Sequence, residues 1–70
     1  MKKFLELTDD ASELPVIIDI SAITAVLQRV DKKCTFIYCT GVEKPFMVKI
    51  NYQDLVRKLS QLGIIGEIVK

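Results

Sequence analysis

Hydrophobic residues recur along this chain with two periods, and the change of period divides it. From residue 4 to about residue 50 they alternate with polar ones or form short runs of β-branched residues, and from 52 to 62 they recur every three or four positions. The second pattern predicts a helix over 52–62 with both ends marked. Asn51 is a favoured N-cap residue, and Asp54 three positions on makes a capping-box arrangement whose side chain is shorter than the usual Glu or Gln. Ile50 and Leu55 have the spacing of a hydrophobic staple. Tyr52, Leu55, Val56, Leu59 and Leu62 form one apolar stripe, while Gln53, Arg57, Lys58, Ser60 and Gln61 point elsewhere. Gly63 supplies the left-handed stop, Ile64 has the spacing to touch Leu59, and Arg57 and Lys58 lie toward the negative end of the dipole. So short a helix is marginal alone, so the stripe is read as core packing rather than as a partner-binding groove.

The alternating part reads as strands. In 4–8, Phe4 and Glu6 share one face and Leu5 and Leu7 the other, as in an edge strand. The acidic segment 9–13 is a solvated turn, because Asp9, Asp10 and Glu13 lack the glycine-containing spacing of a calcium loop. Pro15 opens a strand over 16–20, with Val16, Ile18 and Ile20 on one face and Ile17 and Asp19 on the other. Ser21 or Asp19 can cap the single turn at 21–23. A strand is expected over 24–30, with Val26, Gln28 and Val30 opposite Ala25 and Leu27. The turn Asp31-Lys32-Lys33 follows, its lysines acting as gatekeepers for the aggregation-prone window after it.

Segment 34–40 is the clearest strand, and apolar residues on both its faces predict a central position buried on two sides. It forms a hairpin with 46–50, whose Phe46, Val48 and Ile50 face lies beneath the helix while Lys49 points away. The apolar segment 64–70 can add a strand to this sheet or to a neighbouring subunit. The expected fold is therefore α+β, one domain over 1–70: a mostly antiparallel sheet of four to five strands followed by one C-terminal helix. Curling of the sheet into a small SH3-like barrel is compatible with the same order.

Composition adds an argument about assembly. Seventy residues bury only about 60% of their unfolded surface, yet half of this chain is hydrophobic and its mean hydropathy is +0.30. Covering that apolar excess calls for a homo-oligomer, a dimer being favoured, or for a permanent protein partner. A net charge of +1 provides no global attraction for nucleic acid or anionic lipid. Glu6, Asp9 and Asp10 interrupt any secretory pattern after Met1-Lys2-Lys3-Phe4-Leu5, and no apolar run is long enough for a membrane span, so a cytoplasmic protein is expected.

The same letters argue against chemistry. Cys34 and Cys39 sit five apart in one extended segment, roughly 16 Å between Cα atoms at about 3.3 Å per residue, too far for a disulfide and on opposite faces. They read as small buried hydrophobes. Histidine is absent, no glycine-rich phosphate loop occurs, and Asp19 within its strand reads as a turn cap. No enzyme, cofactor or metal site is expected.

Pro15-Val16-Ile17-Ile18 leading to Ile23, then Cys34-Thr35-Phe36-Ile37-Tyr38, then Val48-Lys49-Ile50-Asn51-Tyr52 before the helix, resembles the small FlbD-type family associated with flagellar and swarming-motility gene clusters. The likeness runs over about 4–59. It departs where Ile50-Asn51 stand in place of an acidic residue and serine, and in a longer turn containing Pro45. It implies a strand-rich body with a terminal helix and no catalytic residues.

Two functions follow as expectations. The first is a non-enzymatic interaction or regulatory module, self-associating through a sheet face the helix leaves open, with Phe36, Tyr38, Met47, Lys49, Ile64 and Ile65 as candidate surface. The alternative is a nucleic-acid-binding regulator that stacks bases on Phe36 and Tyr38 and contacts phosphates through Lys49, Lys44 and Arg29. The net charge weighs against it.

Overall fold

The structure, a computed structural model, describes residues 3–31 and 33–63. Five strands and a helix follow in order: β1 (Phe4–Thr8), β2 (Pro15–Asp19), a 3₁₀ turn (Ile20–Ala22), β3 (Ile23–Gln28), β4 (Thr35–Cys39), β5 (Phe46–Val48) and α1 (Tyr52–Gln61). This is an α+β fold. The strands form two antiparallel sheets, β1-β2 and β3-β4-β5, rather than a single sheet of four or five strands.

The division has local causes. The Asp19 carboxylate accepts from the Ser21 N–H (3.0 Å) and hydroxyl (2.7 Å), capping the 3₁₀ turn that swings the chain from one sheet to the other. β5 is three residues long instead of the five expected, because the Ile50 N–H folds back onto the Val48 carbonyl (2.9 Å) and turns the chain toward the helix. So short a strand meets β1 only at the Asp9–Val48 bridge, where Lys49 N–H donates to Thr8 O (2.8 Å) and Asp10 N–H to Met47 O (2.9 Å). The two sheets therefore touch along one seam, and the barrel that the strand order allowed is not closed.

The core lies where their inner faces meet under the helix. Leu7 and Ile18 come from the ribbon, Ile20 from the turn, Ile37 and Val48 from the larger sheet, and Leu55 and Leu59 from α1. Helix burial follows the apolar stripe, with Tyr52, Val56 and Leu62 half-buried at its margins. Asn51 caps the helix by accepting from the Asp54 N–H (2.8 Å), but the Asp54 carboxylate accepts from the Asn51 side-chain amide (2.9 Å) and from Arg57 Nη1 (3.3 Å), not from the Asn51 backbone. One methylene fewer than Glu explains why it stops short of the backbone. At the other end Gly63, at φ +72°, donates to Ser60 O (3.0 Å), and Lys3 Nζ donates to Leu62 O (2.8 Å), a cation on the negative helix terminus. The contact expected between Ile64 and Leu59, and the strand expected over 64–70, lie outside the described residues.

The candidate open face of the three-stranded sheet

Register decides which side chains share the face that the helix does not cover. Ala25 pairs with Tyr38, Leu27 with Phe36, and Phe36 with Met47, so these five side chains point to the same side. Between Ile23 and Ala25 the register shifts by a bulge, and the Thr24 hydroxyl donates to Tyr38 O (3.2 Å) at that point. Leu27 is 53% exposed and Tyr38 38%, while Phe36 and Met47 are half-buried. The opposite face carries Val26, Ile37 and Val48 into the core. Among the described residues β4 is thus central in its sheet but covered on one side only, against the two-sided burial expected from its composition. The helix is a single layer, and Leu55 and Leu59 are already committed to the inner face.

Below this apolar area the same face becomes ionic. Arg29, continuing the Ala25 and Leu27 side, places Nη1 3.6 Å from Asp10 Oδ2 and 3.1 Å from the Met47 sulfur, and its Nε 3.5 Å from Asp31 Oδ2. Lys49 pairs with Glu13. Asp10, Arg29, Asp31, Lys33, Cys34 and Lys49 line an open recess of about 410 Å³. Cys34, only 5% exposed, donates its thiol to Asp10 Oδ1 (3.3 Å). Burial pushes the Cys34 thiol above its ordinary value, and the Asp10 carboxylate beside it pushes the same way. Cys39 is raised too, chiefly by burial. A buried thiol held in its protonated form is a poor nucleophile. Among the described residues no group of acidic side chains and thiols converges as a metal site.

Four of the six candidate surface residues, Phe36, Tyr38, Met47 and Lys49, are brought to this one face. Ile64 and Ile65 lie outside the described residues. Ala25 and Leu27 complete the apolar area, although neither belonged to the expected surface; their alternation with Val26 was visible, but the pairing that sets them beside Phe36 and Tyr38 was not. Phe4 and Ile17 make a separate exposed spot on the outer side of the ribbon. No helix among the described residues is long and apolar enough to cross a membrane. No protein-family model, no curated protein and no solved structure matches the chain. It is a small α+β protein, and its functional reading rests on this face.

Proposed function

We propose that the chain is a small non-enzymatic interaction module that self-associates through the outer face of β3-β4-β5. The observation that carries this reading is the contiguous area of Ala25, Leu27, Phe36, Tyr38 and Met47, which the only helix of the described residues leaves uncovered. Apolar side chains on neighbouring strands, rimmed by ion pairs at one end, have the anatomy of an interface: an apolar centre and a polar margin. Aromatic residues at its middle are the residue types that most often dominate binding energy.

The ionic end also bears on the nucleic-acid alternative. Of the three cations that reading needs, Arg29 lies between Asp10 and Asp31 and Lys49 is paired with Glu13, leaving Lys44 on the β4–β5 turn. Cations already neutralised by protein carboxylates release fewer counterions from a phosphate backbone, which removes the main source of affinity. The test compares wild type with Phe36→Ser and Tyr38→Ser by light scattering across a concentration series, with circular dichroism to show that each variant is folded. Loss of self-association in folded variants is expected. Unchanged assembly in both would overturn the assignment of the face, and a salt-dependent gel shift with single-stranded nucleic acid would promote the alternative.

A further inference from the structure

Among the described residues the outer face ends at an open strand edge, and β2 and β3, the edge strands away from the β1–β5 bridge, differ in how they are protected. β2 begins with Pro15 and ends with Asp19, both of which discourage pairing with another chain. β3 reads Ile-Thr-Ala-Val-Leu-Gln, with neither charge nor proline over Ile23–Gln28, and it stands at the end of the order β3-β4-β5. We propose that β3 pairs antiparallel with β3 of a second copy about a two-fold axis at Leu27, joining the two sheets into one of six strands; this rests on the self-associating reading of the face.

The register follows from the backbone. Arg29 N–H donates to Cys34 O (3.2 Å), and Leu27 pairs with Phe36, so the amides of Leu27 and Arg29 point toward β4. Antiparallel ladders alternate, and the N–H and C=O groups of Val26 and Gln28 therefore face the open edge. A pairing that sets Val26 opposite Gln28 of the second copy, and Gln28 opposite its Val26, satisfies all of these groups about a two-fold axis, whereas Val26 opposite Val26 would set Gln28 against Thr24 at the bulge. Leu27 then meets its own copy in a non-hydrogen-bonded pair on the outer face, about 4.5 Å between Cα atoms.

Charge supports a second copy as occupant. In this register Arg29 lies opposite Ala25 rather than opposite another Arg29, so no like charges are juxtaposed along the strand. Leu27, exposed in one chain, gains its own copy as a cross-strand neighbour, and the two apolar faces become a single surface. A charged peptide would find no counter-charge along this uncharged edge.

The experiment uses the full chain. Leu27→Cys is oxidised with copper–phenanthroline and compared with Val42→Cys, an exposed position on the β4–β5 turn. The Leu27 pair has the separation a disulfide needs, and on the order of tenfold faster interchain cross-linking than at Val42 is expected from the raised effective concentration. In parallel, Gln28→Pro deletes an outward N–H without touching the β4 ladder, and Leu27→Lys sets like charges opposite each other at an exposed position, in case the proline disturbs folding. Both are expected to reduce the scattering mass to that of one chain while the circular dichroism stays native. A dimer that survives both variants and cross-links no faster at Leu27 than at Val42 overturns the edge geometry but leaves self-association through the face standing. A wild-type chain monomeric at every concentration overturns both.

Discussion

Thr35 is the one buried polar side chain among the described residues, and replacing it tests how β4 holds the start of the helix. Its side chain is 0% exposed, and its hydroxyl donates to Ile50 O at 2.7 Å. That bond fastens the central strand to the short link between β5 and the Asn51 cap. Thr35→Val keeps the shape and removes the donor. A part-buried carbonyl left without its partner costs about 1–3 kcal/mol, and the additional buried carbon recovers about 0.8 kcal/mol. The net expectation is destabilisation by about 1 kcal/mol, which is a sizeable share of a total of about 3.5–10 kcal/mol for a chain this size. The melting temperature should fall by about 4–8 °C.

Thr35→Ser is the control, because it retains the hydroxyl and loses a methyl group, at a cost of about 1 kcal/mol. Urea unfolding followed by far-ultraviolet circular dichroism, at one fixed protein concentration, checks both variants. A lower midpoint with an unchanged slope is expected for each. Thr35→Val lying within about 0.5 kcal/mol of wild type would refute the role of the hydroxyl. That result would mean that the methyl group, not the hydroxyl, holds this position.

Other expectations use the same unfolding assay or simple chemistry. Asn51→Ala removes the acceptor of the Asp54 N–H and should cost about 1 kcal/mol, seen as a lower urea midpoint. Glu13 is held below its ordinary 4.5 by the hydrogen bond and charge of Lys49, and Asp9 below 3.8 by the Ser12 amide and hydroxyl. Folded values lower than unfolded ones mean that these carboxylates stabilise the fold above the ordinary values and that the benefit is lost as pH falls through the folded values. Glu13→Gln should therefore flatten the acid limb of stability against pH. Lys49 is raised above 10.5, first by its hydrogen bond to Glu13, so its share is present below that pH and is lost as pH rises through the folded value. Iodoacetamide at pH 8 should label native Cys34 more slowly than half-buried Cys39, and both more slowly than in urea. Equal labelling of native and unfolded protein would contradict the burial of both thiols.

Much of the local structure is written in the letters because it depends on neighbours a few residues apart. The cap at Asn51, the stop at Gly63 and the stripe from Tyr52 to Leu62 are matters of helical spacing. The alternation of Leu5 with Glu6 and of Val48 with Met47 follows from the pleat of a strand. So does the grouping of Phe36 with Tyr38, whichever face they occupy.

What the tertiary structure alone decided depends on pairing between distant segments. The five strands are divided into two sheets because Asp19 caps a turn and Ile50 shortens β5, which leaves only one bridge for a closing seam. β4 is apolar on both sides, yet the one helix of the described residues covers just one of them, so among those residues composition alone overstated its burial. Leu27 joined Phe36 only through the β3–β4 register, which a single bulge at Thr24 resets. The ionic end shows the same dependence most plainly, because Arg29, Asp10, Cys34 and Lys49 are spread over 40 positions of sequence, and no spacing rule links charges whose meeting is arranged by the packing of strands.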